Sequence, residues 1–202
     1  MTDPARKSGD LGAHALEDLR YIRAAMARAG VFSAVPGRGL VLAGGSALAA
    51  AWLARAARGA GGESAWLEAW LIELAIASAI AIVAVRAKAR ATGEDAAGGP
   101  ARRFFGSFAL PCVLAVPLTV ALLHQGAFDL LPGVWLSLYG AALVAGWGAV
   151  TREVVPVLGL SFALLGMCAL LSPASWGDAW MAAGFGGLHI GFGIWIARRL
   201  GG

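Results

Sequence analysis

An all-α membrane bundle of six transmembrane helices, preceded by an amphipathic N-terminal helix, is the fold this sequence predicts. Three observations predict it. Only 14% of the 202 residues are charged and 59% are apolar, whereas an ordinary soluble domain has roughly a quarter of its residues charged. The apolar residues lie in six blocks, each close to the roughly 20 residues that cross about 30 Å of hydrocarbon. Lys and Arg collect on alternate connections between those blocks, and the mean hydropathy is +0.72.

In chain order, residues 1–38 form a polar segment and 39–202 the membrane domain. Within the first, 11–29 reads as a helix. Leu16, Leu19, Ile22 and Met26 fall at helical spacing, with Arg20, Arg23 and Arg28 between them. Asp10 could cap its start and Gly30 its end. Such a helix suits the inner membrane surface or a cytoplasmic protein partner. No apolar stretch there has the length of a signal peptide, and no lipidation motif is visible.

The six spans are expected at 39–57, 66–86, 104–124, 130–149, 154–172 and 176–197. Gly59 to Ser64 make the first connection, and His124 to Asp129, Thr151 to Glu153 and Ser172 to Ser175 make later ones. The stretch 91–101, with Thr92, Gly93, Gly98, Gly99 and Pro100, reads as a mobile loop. Pro111 and Pro117 remove backbone donors from the third span and should kink it. Cys112 and Cys168 lie in different spans at depths about 12 Å apart, too far for a disulfide.

With both termini cytoplasmic, fourteen Lys and Arg fall inside and only Arg55 and Arg58 outside. That is a strong positive-inside bias. Trp52, Trp66, Trp70, Trp135, Trp176 and Trp180 then lie towards the outer interface. The net charge of +4 follows from the same bias. It does not point to nucleic acid, since no nucleic-acid-binding motif accompanies it.

Two spans open alike: Trp66-Leu67-Glu68-Ala69-Trp70 and Trp176-Gly177-Asp178-Ala179-Trp180. Val35-Pro36 and Val155-Pro156 precede the corresponding hairpins. A parallel duplication of the first and last hairpins is one reading, and repeats are common in transporters. Chance matching of Ala-rich helices is the other.

The sixth span carries Ala179, Ala183, Gly187 and Gly191 as a small-xxx-small stripe, a pattern that lets helices approach closely. Ala182, Gly186, His189 and Gly193 form a second row. His189 and Glu73 are the candidate ligand or proton-binding residues, because ionisable groups at membrane depth mark functional sites by default. The plain alternative for His189 is a neutral imidazole hydrogen-bonded to a neighbouring helix. We expect its partner to be the Val113 carbonyl, which Pro117 leaves without a donor. Glu68 and Asp178 read as charges at helix N-termini. No spacing matches a metal site or a phosphate loop, and no residue pattern names a cofactor.

The six-span, N-inside plan with Leu188-His189-Ile190-Gly191-Phe192-Gly193 in its last helix resembles rhomboid intramembrane proteases. That resemblance implies Ser137 as nucleophile. Here Ser137 sits in Val134-Trp135-Leu136-Ser137-Leu138-Tyr139-Gly140, without the family's G-x-S-G. Measured from Trp135 and Trp180, Ser137 and His189 differ in depth by seven residues. That is about 10 Å, whereas a nucleophile and its base need about 3 Å. The chain is also similar to small uncharacterised six-span bacterial membrane proteins. The shared stretches are Asp18-Leu19-Arg20-Tyr21-Ile22-Arg23, Ala34-Val35-Pro36-Gly37, Gly184 to Ile190 and Ala197-Arg198-Arg199. That resemblance implies the bacterial inner membrane and no particular activity. A non-catalytic membrane subunit or sensor is therefore the expected function, with a small-solute or ion transporter as the alternative.

Overall fold

The computed structural model describes residues 35–93, 95, 97–147 and 154–200. The expected helix at 11–29 and the Thr151–Glu153 connection lie outside them. Among the described residues the chain is helical, with no strand. Helix α1 is Gly37–Thr92 and α2 is Gly99–His124. A 3₁₀ turn at Phe128–Leu130 leads into α3, Leu131–Ala145, and α4 is Val154–Leu171. A second 3₁₀ turn, Ala174–Trp176, opens the last run: α5, Gly177–Met181; a π segment, Ala182–Leu188; and α6, His189–Leu200. Five helical stretches are long and apolar enough to cross a membrane: Gly37–Ala91, Gly99–His124, Phe128–Ala145, Val154–Leu171 and Ala174–Arg199.

The first of these is not a rod. Fifty-six residues in one straight helix would reach about 84 Å. Gly62 instead holds φ 75° and ψ −157°, a conformation essentially confined to glycine, and the chain reverses there. Ser46 Oγ lies 2.8 Å from Glu73 Oε1, and a Cβ added at Gly39 would sit 2.5 Å from that of Ala84. The arms 37–61 and 63–92 therefore run antiparallel. The expected six-residue loop at 59–64 is absent, because helical winding continues on both sides of a single broken residue.

Contacts fix every direction. Gly37 meets Ala197 and Gly44 meets Gly186 and Ile190, so the first arm opposes the last helix. Trp66 reaches Asp178 and Trp70 reaches Phe185, so the second arm runs with it. Phe108 meets Tyr139 and Trp135 meets Thr119, so α2 opposes α3. Gly140 meets Gly159 and Gly133 meets Leu170, so α3 opposes α4. Tyr139 meets His189 and Leu136 meets Gly184, so α3 runs with the last helix. Taken in order, successive segments alternate in direction.

Two seams draw the helices closest, and glycines at heptad spacing line both. A seven-residue step returns to nearly the same face of a helix. Gly37 and Gly44 face Gly186 and Gly193 across the first arm and the last helix. Gly133 and Gly140 face Gly159 and Gly166 across α3 and α4. At Gly37, Gly140 and Gly193 a Cβ would come within 2.5–2.8 Å of backbone atoms of the opposing helix. Small residues at such places bring backbones together, where van der Waals packing holds membrane helices.

This corrects the reading of the last span. Gly186 and Gly193 are packed as expected, but Ala183, Gly187 and Gly191 of the small-xxx-small stripe are exposed. A Cβ at Gly191 would meet nothing within 4 Å. Ala179 is exposed as well, so the whole stripe lies on one outward face, about 100° around the helix from the Gly186–Gly193 row that meets the first arm. One other expectation changes. The loop expected at 91–101 is shorter, since α1 runs to Thr92, Gly93 caps it at φ 70° and α2 starts at Gly99. Pro111 and Pro117 both lie inside α2, with helix on either side of them.

Candidate functional site

His189 stands where the π segment ends, 7% exposed, between α3 and α4. Its Nδ1 is 2.9 Å from the Phe185 carbonyl and its Nε2 is 2.9 Å from the Tyr139 hydroxyl. A carbonyl only accepts, so Nδ1 carries a hydrogen; in the neutral ring Nε2 then accepts from the tyrosine. Tyr139, Phe162 and Phe185 surround the imidazole, with ring centroids 5.2–6.3 Å from it. The ring is thus hydrogen-bonded to a neighbouring helix, but the partner expected from sequence is wrong. Val113 is 63% exposed and its helix packs on α3. Freeing a carbonyl at Pro117 does not bring His189 to it, because α3 takes the position beside the imidazole.

Tyr139 is the residue the sequence reading missed. It is one of only two tyrosines in the chain, and a tyrosine inside an apolar block needs a partner for its hydroxyl. That signal was available.

Glu73, 6% exposed, lies on the second arm against the first. Its partner, Ser46, is the one hydroxyl in the 39–57 block. Ser46 Oγ is 2.8 Å from Glu73 Oε1 and 2.9 Å from the Ala43 carbonyl. One hydroxyl hydrogen cannot serve both acceptors fully. Two arrangements satisfy the geometry. A carboxylate accepts from Ser46, or a carboxylic acid donates to Ser46 while Ser46 donates to Ala43. The site can therefore hold or release a proton with only a hydroxyl rotation. One turn away, the Trp70 indole nitrogen is buried with no hydrogen-bond partner.

Ser137, the nucleophile implied by the rhomboid resemblance, does not meet His189. Its Oγ is buried without a hydrogen bond and packs where a Cβ at Gly166 would be. Both imidazole nitrogens are occupied elsewhere. Among the described residues no group of three His, Cys, Asp or Glu could hold a metal. The cysteines are free.

At the Gly62 end, three connections are tied together. Arg58 pairs with Asp129 at 2.9 Å and lies 4.9 Å above the Phe128 ring. Trp66 Nε1 donates to Asp178 Oδ1 at 2.6 Å. Asp178 is thus an acceptor for a buried indole rather than only a helix-end charge. This bond also joins the two W-x-acid-A-W segments to each other. The seams of their hairpins differ, however: the first arm's glycines face the last helix, whereas those of α4 face α3.

From the Gly62 end inward, Phe128, Trp66, Trp70, Phe185, Tyr139, Phe108 and Phe104 touch ring to ring. His189 sits within this chain of rings as its buried polar member. Pro111 and Pro117 contribute to neither polar site. Comparison with protein-family models, curated proteins and solved structures gives no match for this chain.

Proposed function

We propose that the protein is a six-span inner-membrane protein that acts as a non-catalytic subunit or sensor. Both termini lie in the cytoplasm. The alternating directions of its helical segments and the arms joined at Gly62 support six crossings. The observation that carries the functional reading is the state of His189. Its two nitrogens bind Phe185 and Tyr139, and Ser137 packs elsewhere. The imidazole acts as an interhelical tie, and such bonds contribute about 0.6–2 kcal/mol in membranes. The expected partner-binding element is the 11–29 segment.

One observation favours a second reading, proton- or cation-linked transport. Glu73 is buried in the first hairpin beside Ser46, with two hydrogen-bond arrangements open to it. Flux decides between them. Purified protein in proteoliposomes under an imposed pH gradient is expected to conduct no more protons or cations than empty vesicles. Flux abolished by Glu73→Gln would overturn the subunit reading and establish the transporter.

Orientation has its own check. A cytoplasmic reporter fused after Gly202 is expected to be active. Activity only for an extracytoplasmic reporter at that position would refute the N-inside topology.

A further inference from the structure

The aromatic chain that runs inward from the Gly62 end contains rings that can lose an electron. Indoles and phenols do so far more readily than phenylalanine. Trp135 is the half-buried member at that end. Its ring lies 5.8 Å from Trp66, which lies 6.0 Å from Trp70. Trp70 and Tyr139 both touch the Phe185 ring, at 6.1 and 5.3 Å, so one phenylalanine bridges them. Three oxidisable indoles thus lead to a buried phenol.

Hydrogen bonding decides where a lost electron leaves its mark, because an oxidised ring is stabilised when its proton moves to a base. Trp70 Nε1 is buried with no hydrogen-bond partner among the described residues. An oxidised indole there keeps its proton and takes an electron from the next ring. The Tyr139 hydroxyl, in contrast, donates to His189 Nε2 at 2.9 Å. The Nδ1–H of the same imidazole donates to the Phe185 carbonyl at 2.9 Å, and that bond fixes Nε2 as the acceptor. Trp66 also has an acceptor, Asp178 at 2.6 Å. A carboxylate is ordinarily a weaker base than an imidazole, so Tyr139 is the resting place.

We propose that Tyr139 and His189 form a proton-coupled redox pair, which Trp135, Trp66 and Trp70 connect to a lipid peroxyl radical at the Gly62 end. Oxidised acyl chains supply that oxidant, and its polar peroxyl group settles towards the headgroups, where this end of the bundle stands. One electron passes from Trp135 to the peroxyl radical, which takes a proton from water and becomes a hydroperoxide. Trp66, Trp70 and Tyr139 replace the electron in turn, while the Tyr139 proton crosses to His189 Nε2. A neutral tyrosyl radical and an imidazolium result, and no covalent bond forms on the protein. Both imidazole N–H groups keep acceptors, the Phe185 carbonyl and the phenoxyl oxygen. The inference rests on the membrane reading but on neither of the two activities.

Freeze-quench electron paramagnetic resonance tests it on the full chain carrying Tyr21→Phe, in phosphatidylcholine vesicles with an azo initiator as the peroxyl source. Tyr139 is then the sole tyrosine, and ring-deuterated tyrosine identifies its signal. A tyrosyl radical is expected to accumulate. His189→Gln keeps a hydrogen-bond acceptor but no base. It is expected to slow accumulation about a hundredfold or more, the low end of what a positioned base contributes to proton transfer, and to leave the signal on tryptophan. Trp70→Phe keeps a ring and removes only an unpartnered N–H, yet should lose most of the tyrosyl signal. If His189→Gln is not monodisperse, the chain prepared in D2O replaces it, and accumulation there is expected to be slower because the proton moves with the electron. A tryptophan radical alone in the Tyr21→Phe chain overturns the pair. So do equal rates with and without His189→Gln, or equal rates in water and D2O. A tyrosyl signal undiminished in Trp70→Phe overturns the connection to the Gly62 end. Proteoliposome flux is independent of all these outcomes.

Discussion

Replacing Gly140 by valine is expected to destabilise the bundle by about 3 kcal/mol, the upper end of what forced overpacking costs. A Cβ at this position would stand 2.5 Å from the Ala163 nitrogen and 2.6 Å from the Gly159 carbonyl oxygen. Both are backbone atoms of α4 and cannot rotate aside as a side chain would. The helices must separate, and the loss spreads along the seam through Gly133 and Gly166. Gly191→Val is the matched comparison, because that glycine has open space around it. It is expected to change stability by no more than about 0.5 kcal/mol. Unfolding by SDS titration in mixed micelles measures both. Similar midpoints for the two variants would show that the α3–α4 seam does not limit stability.

Removing the Trp66 side chain is expected to cost at least as much. Trp66 is 1% exposed and makes edge contact with Phe128 at a centroid distance of 5.1 Å. Trp135 lies at 5.8 Å and Trp70 at 6.0 Å. Its indole N–H donates to Asp178 across 112 residues of sequence. Trp66→Ala removes a large ring from three segments at once and is expected to cost about 3–5 kcal/mol. Trp66→Phe keeps most of the ring but strands Asp178, at about 1–3 kcal/mol. Asp178→Asn retains an acceptor oxygen and should stay near the parent. The same titration separates these levels. A Trp66→Phe protein as stable as the parent would mean that packing alone holds this end.

Much of the fold was legible in the residues because a bilayer leaves few choices. Backbone groups in hydrocarbon must satisfy one another within a helix, so long apolar blocks with few charges already imply helices of a given length. Glu73 and His189 were legible for a related reason, since an ionisable residue in such a block must find an internal partner. Which partner it finds is a separate matter. Ser46 and Tyr139 are each rare polar residues in their blocks, yet 27 and 50 positions separate them from Glu73 and His189. Spacing along one helix says nothing about which other helix stands opposite. The choice of Val113 for His189 failed on that point, whereas the Ser137–His189 pairing that the rhomboid resemblance implied was already opposed by their difference in depth along the chain.

The glycines make the same division at finer scale. Four-residue steps pointed to Gly187 and Gly191 as a packing stripe, and both are exposed. The seven-residue steps from Gly37 to Gly44 and from Gly186 to Gly193 are just as visible in the chain, and they form the seam. Composition, block length and charge placement were enough to specify an all-helical chain suited to a membrane, because each depends on local backbone and solvent energetics. The narrowing of the first reversal to the single residue Gly62, the π segment ahead of His189 and the meeting of Trp66 with Asp178 were decided only in the tertiary structure. Each depends on how closely helices remote in sequence approach, and that distance is set by several interfaces at once.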